Sequence, residues 1–285
     1  MTVPHGTGTI AVTSAASGIG AATAHRLVAD GYRVITVDRH DADITCDLGS
    51  DEGRRHAVEQ VSKLARGALD GLVQPATVGG WPGLRGALVV STNYFGAIAV
   101  LEGLRPALAR SGDAAVVLGT TSAPTTSGWP VELEQLCLAG AEARARELAD
   151  RIGAVQSSAG SEAAVARYVR RHALNAEWSG AGIQLNVIAP GFIALPLGAD
   201  DLNDQKALQS LEYFRGTAQA IAARIAFLLG PEARSFWRSV FVDGHPDAPP
   251  RADDSLAGWN SPVPPRGAPA RTVAQPMVRT SQKSL

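Results

Sequence analysis

Lysine is scarce in this 285-residue chain: of 26 basic residues only Lys63, Lys206 and Lys283 are lysines. Cysteine is scarcer still. Cys46 and Cys137 cannot form a disulfide framework, and neither has metal-ligand spacing with a His, which excludes the stapled secreted class and predicts two reduced thiols in a cytosolic protein. Aromatic residues make up only 5% of the chain against 30 glycines, which argues for tight turns and small-residue packing of α/β type rather than a sandwich anchored on large rings. Neither sign of charge dominates. With a net charge of −1 there is no broad field for nucleic acid or anionic lipid, and short basic runs such as Arg167-Tyr168-Val169-Arg170-Arg171 are balanced by acids elsewhere. Residues 1–25 carry no Asp, Glu, Lys or Arg, yet they lack the basic start and compact apolar core of a secretion signal. The uncharged runs 86–101 and 181–199 are broken by Ser, Thr, Asn, Gln or Pro. The expectation is a soluble, cytoplasmic protein with neither a membrane nor a nucleic acid as partner.

What is present points to one fold class. Short β-branched runs at Thr9–Val12, Arg33–Val37, Gly71–Val73, Ala115–Leu118, Ile183–Ile188 and Ser239–Val242 alternate with Ala-rich segments of helical period. Strand, helix, strand in this rhythm predicts an α/β fold, a single Rossmann-like, doubly wound parallel sheet with helices on both faces. Pro246, Pro249, Pro250, Pro262, Pro264, Pro265, Pro269 and Pro276 crowd the end of the chain. Such a segment buries too little apolar surface to offset its ordering entropy, so the folded domain is expected over 1–247 and a disordered tail over 248–285.

Directly after the first strand, Thr13-Ser14-Ala15-Ala16-Ser17-Gly18-Ile19-Gly20 opens a helix. Small residues at such a turn let a pyrophosphate approach the backbone amides and the positive helix end. The next strand ends at Asp38, eighteen residues beyond Gly20, where a carboxylate can hold both ribose hydroxyls of adenosine and repel a 2′-phosphate. That predicts a dinucleotide partner, NAD before NADP. Two readings run against it: Asp38 as an ordinary strand-end cap, and Arg39 as an acceptor of a 2′-phosphate.

With these residues in hand, the sequence resembles the short-chain dehydrogenase/reductase family from Thr9 to Asp247. The turn resembles that family's Thr-Gly-x-x-x-Gly-x-Gly fingerprint, with Ser14 in place of the first Gly. Asp47-Leu48 sits where an Asp usually meets the adenine. Asp70-Gly71-Leu72-Val73 resembles the strand before the Asn-Asn-Ala-Gly motif, which here reads Gln74-Pro75-Ala76-Thr77. Asn93-Tyr94-Phe95-Gly96, Pro190-Gly191 and Val242-Asp243-Gly244 also fit. The resemblance implies a cofactor site of Ser14, Ser17, Gly18, Ile19, Gly20, Asp38, Asp47, Leu48, Ala76, Pro190 and Gly191, and a homo-oligomer. The bacterial 3α-hydroxysteroid dehydrogenase/carbonyl reductase subgroup is the most similar, because it too places a helical insert after the fourth strand, here about 121–157. In that subgroup the insert covers a dimer-forming helix face. From residues alone it reads as a single added helix with Glu and Arg on its exposed side.

The family's chemistry is ascribed to an Asn, a Ser, a Tyr and a Lys; the cation lowers the phenol's pKa from its ordinary value near 10. Asn93 matches the Asn, and Thr120 keeps a hydroxyl at the Ser position. The Tyr-x-x-x-Lys pair is missing, because residues four beyond Tyr32, Tyr94, Tyr168 and Tyr213 are Thr36, Ile98, His172 and Thr217. One alignment puts Ser158 and Glu162 at the Tyr and Lys positions; another, counted back from Asn186, puts Gly160 and Ala164 there. After Pro190-Gly191 the family's nicotinamide-binding Thr is replaced by Phe192-Ile193-Ala194. Three functions stay open: an NAD-binding protein with a degenerate oxidoreductase site; a dehydrogenase or reductase of a small hydrophobic, steroid-like alcohol or ketone using Thr120 and Asn93; and a non-redox isomerase or dehydratase using Ser158 and Glu162. Against the last stands a plainer reading of Ser158, Ser161 and Glu162 as a helix-start cap. Tyr168 and His172, one turn apart, read as structural.

Overall fold

The structure is a computed structural model, and it describes residues 8–75, 83–119, 129–189, 217–236 and 241–243. Seven parallel strands form one sheet: β1 (Thr9–Thr13), β2 (Arg33–Asp38), β3 (Ile44–Thr45), β4 (Gly71–Gln74), β5 (Ala114–Gly119), β6 (Ile183–Ala189) and β7 (Phe241–Asp243). Their order is β3-β2-β1-β4-β5-β6-β7, so the chain winds outward from β1 in one direction and then from β4 in the other. This is the doubly wound sheet that the strand rhythm predicts. β3 is the addition. Two residues on a sheet edge, paired with Val37 and Asp38, give no periodic pattern to read.

The helices are α1 (Gly18–Ala29), α2 (Asp51–Leu64), α3 (Gly86–Val90), α4 (Ala97–Ser111), α5 (Val131–Leu138), α6 (Glu142–Ile152), α7 (Ala154–His172), α8 (Ala218–Leu229) and α9 (Pro231–Phe236). A π-helical segment, Ser91–Gly96, joins α3 to α4. The central strands are buried along their whole length, β4 and β5 at every residue, as expected where helices cover both faces. Each face has its own core. Ile10, Val12, Val73, Val117, Ile225 and Leu229 pack the side of α1 and α8, whereas Leu72, Val116, Leu101, Leu104, Val165 and Leu185 pack the side of α4 and α7.

Two expectations need correcting. The insert is two helices, α5 and α6, and its charges are not simply solvated. Glu134 is buried and pairs with Arg167 of α7, Glu142 binds Arg54 of α2, and Arg146 donates to Ser91 Oγ at 2.6 Å. α5 packs on α7 and α6 on α3, so the insert covers those two helices. Secondly, the uncharged run from Gly86 is part of one helical stretch to Ser111, 26 residues of mean hydropathy up to 1.5, long and apolar enough to cross a membrane. Most of it is buried in this core, where Val100, Leu101, Leu104 and Leu108 are at most 1% exposed. Thr120, Ala76, Pro190, Gly191 and the tail 248–285 lie outside the described residues.

Candidate functional site

The β1–α1 turn is held by its own backbone. Ser14 has φ +51° and Gly18 φ +53°, both left-handed. For glycine this is free, but a residue with a Cβ is held there at a cost of roughly 1–2 kcal/mol. The Ser14 substitution therefore keeps the glycine conformation and carries its strain. Gly20 is under a harder constraint, since a Cβ there would lie 1.8 Å from the Ser14 carbonyl oxygen. Ser17 takes the N-cap position with extended backbone, and its hydroxyl makes no capping bond to α1. Among the described residues no side chain caps the first-turn amides of this twelve-residue helix. Ile19, half-buried, packs against the α1–α8 core and fixes the helix there.

Asp38 joins the second strand to that turn. Its Oδ2 accepts from Ala16 N at 2.8 Å and its Oδ1 from Arg39 N at 2.6 Å. The strand-end role is thus filled, and it is not exclusive, because a carboxylate offers about four acceptor sites. Arg39 itself is exposed. Asp47 is exposed and takes Gly49 N on Oδ1 at 2.8 Å, while Leu48 beside it lines a cleft with Thr13, Ser14, Thr92 and Asn93. A turn packed so closely on its helix that Gly20 has no room for a Cβ, a helix end without a side-chain bond from its N-cap and an acid one strand away fit a dinucleotide. Its phosphates would meet the turn and α1, and its adenosine ribose would meet Asp38.

Sequence reasoning missed Arg54. It lies on α2, 6% exposed, and donates through Nε to Leu48 O (2.8 Å), through Nη2 to Ser91 O (2.9 Å), and through both Nη atoms to Glu142 (2.7 Å each). One guanidinium so ties the Leu48 turn to the π-helix and to α6. The signal was available, because Arg54, Ala57 and Val61 share one buried face at helical spacing. Burial works against ionisation of Glu142, but hydrogen bonds from Arg54 and Ser91 and the charges of Arg54 and Arg146 outweigh it and hold the carboxyl below its usual range.

Asn93 is 2% exposed and sits in the π-helix, on the cleft wall beside Gly119 and Val165. Short π turns recur where a helix gives up regular bonding for a site. On α7 the structure brings Ser158 and Glu162 together: Ser158 Oγ donates to Glu162 Oε1 at 2.8 Å, with the residues 8% and 1% exposed. Because α7 begins at Ala154, both lie inside the helix and cap nothing. That corrects the capping reading, and Ser161 bonds Ser158 O instead. The two alignments of α7 also separate. A Cβ on Gly160 would lie 3.0 Å from Leu133 Cδ2 and 3.1 Å from Pro130 Cγ, so position 160 faces the insert. Ser158, Glu162 and Val165 share another face, and Val165 is the one that lines the cleft.

Burial works against ionisation of the described buried tyrosines. Burial, the neighbouring Cys137 and, opposing them, Arg171 leave the Tyr94 hydroxyl pushed well up. Burial and Glu102 do the same to Tyr168, which donates to Glu102 of α4 and stacks on His172 with ring centroids 4.1 Å apart. The described lysine, Lys63, is exposed on α2.

Comparison with known proteins agrees with this geometry. The short chain dehydrogenase family model matches residues 8–132. The 3-alpha-hydroxysteroid dehydrogenase/carbonyl reductase of Comamonas testosteroni is 34% identical over 250 residues, covering 84% of this chain and 96% of that protein. The chain belongs to the short-chain dehydrogenase/reductase family. Among solved structures it is similar to the 3-alpha-hydroxysteroid dehydrogenase from Pseudomonas sp. B-0831 complexed with NADH, with 41% identity, a TM-score of 0.75, and coverage of 86% of this chain and 99% of that one. A putative NAD(P)-dependent gluconate 5-dehydrogenase from Beutenbergia cavernae, with bound NADP, shares the fold at 21% identity, covering 85% of this chain and 98% of that one, with a TM-score of 0.63.

Proposed function

We propose that this chain is a dinucleotide-binding member of the family, selective for NAD, in which the standard oxidoreductase site has degenerated, leaving a binding protein or a vestigial enzyme. The observation that carries this reading is the pair on α7. A serine hydroxyl is bonded there to a buried glutamate, and in the alignment that gives Ser158 and Glu162 the family's Tyr and Lys positions, a carboxylate cannot lower a phenol's pKa as a cation does. The adenosine side, with Gly18, Gly20 and Asp38, supports retained affinity. Calorimetric titration with NAD and with NADP tests the first half: binding of neither at millimolar concentration would sink it. NADH turnover over a panel of ketones and alcohols tests the second.

A second reading is supported by Asn93 on the cleft wall and by the hydroxysteroid dehydrogenase relatives. Here the chain is a dehydrogenase or reductase of a hydrophobic alcohol or ketone, with NAD supplying the nicotinamide. Asn93 and Thr120 would orient the substrate oxygen, and in the oxidative direction the Ser158 oxygen would take the substrate's hydroxyl proton as its own passes to Glu162, while the carbinol C–H leaves as hydride to bound NAD. A Glu162→Gln variant would then lose turnover while keeping NAD affinity. Wild-type rates no greater than the protein-free control across the panel would remove this reading.

A further inference from the structure

The charges of the insert converge on one buried residue behind the cleft. Ser91 opens the π-helical segment and has no exposed surface. Arg146 of α6 donates to its hydroxyl oxygen at 2.6 Å, and Nη2 of Arg54 donates to its carbonyl oxygen at 2.9 Å. Glu142, one turn before Arg146, accepts from both Nη atoms of Arg54 at 2.7 Å and from the Ser91 hydroxyl. Three ionised side chains around one serine add little cohesion, because desolvation offsets much of their attraction and apolar packing would serve as well. What they add is direction, since charge-assisted hydrogen bonds fix where their partner stands.

The residues that follow Ser91 belong to the cleft. Thr92 and Asn93 line it, and so does Leu48, whose carbonyl accepts from Nε of the same Arg54 at 2.8 Å. The Leu48 turn is pressed against the π segment without spare room. A Cβ on Gly96 would lie 2.6 Å from Leu48 O, and one on Gly49 would lie 3.1 Å from Thr92 Oγ1. Leu48, Thr92 and Asn93 therefore make one wall, and α6 braces it from behind without lining the cleft among the described residues. We propose that Arg146 of the insert is a positioning residue for this cleft: acting through Ser91, with Arg54 and Glu142 beside it, it holds the wall where a dinucleotide can bind. The inference rests on the reading of this cleft as the dinucleotide site.

The test compares full-length wild type with Arg146→Met, Arg146→Lys, Ser91→Ala and the double variant Arg146→Met/Ser91→Ala. NAD affinity is measured by calorimetry at a temperature where each thermal midpoint shows the protein to be folded. Arg146→Met weakens NAD binding about fivefold, and Ser91→Ala does the same. The double variant is no weaker than either single one, because both cut the same link. Arg146→Lys keeps a cationic donor for the Ser91 oxygen and returns to within about twofold of wild type. Arg144→Met removes a charge from the exposed side of the same helix and leaves affinity unchanged. An unaltered affinity in Arg146→Met, losses that multiply in the double variant, no recovery with lysine, or an equal loss in Arg144→Met each overturn the proposal while the cleft reading stands. A wild type that binds none of NAD, NADP and ADP overturns the cleft reading and the proposal with it.

Discussion

On the β2 side of the cleft, the Asp38 carboxylate grips the β1–α1 turn through Ala16, and Gly20 lets the helix press against Ser14. On the α7 side, Ser158 is bonded to Glu162 and Tyr168 to Glu102. The first side presents backbone amides and an acceptor outward, whereas the second satisfies its polar groups internally. A binding surface and a reactive surface thus place different demands on sequence. The former needs small residues and one acid, and tolerates Ser14; the latter needs a specific cation beside a specific phenol.

The contrast can be broken most severely at Gly20. Gly20→Ala forces the turn and α1 apart, and is expected to abolish measurable NAD binding and to cost about 3 kcal/mol or more in denaturant unfolding. Arg54→Met comes next, at about 3 kcal/mol by the same measurement, because it strands the Leu48 and Ser91 carbonyls and the Glu142 carboxylate together. That network also predicts acid sensitivity. The Glu142 carboxyl is held below its ordinary value of 4.5, so its contribution is full above that pH and is lost as pH falls through the lowered value. A Glu142→Gln protein should show a flatter stability profile across that acid window. Asp38→Asn sharpens the comparison rather than breaking it: NAD binding weakens about tenfold while NADP binding suffers less, since the repelling charge is gone. The smallest change is Ser14→Gly, which relieves a left-handed serine and should stabilise the protein by about 1 kcal/mol with slightly tighter NAD binding. No gain would mean the turn had relaxed around the serine.

Much of the fold was legible because strand and helix periods are local. Six strands, the fingerprint turn and Asp38 could all be read from short stretches. β3 could not, for two residues on an edge leave no period. The insert misled for a different reason: Glu134 and Glu142 look like solvated charges until α7 and α2 bring Arg167 and Arg54 to them, contacts that no local pattern encodes. Ser158 and Glu162 were legible as a hydroxyl and carboxylate pair, but not their place in the helix, since the start of α7 at Ala154 decides whether they cap it or sit within it.

The π turn at Ser91–Gly96 has a geometric consequence for the whole helical stretch from Gly86 to Ser111. An extra residue in one turn advances the phase of everything after it by about 100°. The half before the turn can therefore face α6 and α7 with Ala87 and Val90, while the half after it faces the sheet and α2 with Leu101, Leu104 and Leu108. One rod serves two walls that a uniform helix would meet at the wrong angle. Deleting a single residue from the turn would be felt less at the gap than along the fifteen residues of α4 beyond it. Those residues would rotate their apolar stripe out of the core like a key turned in its lock.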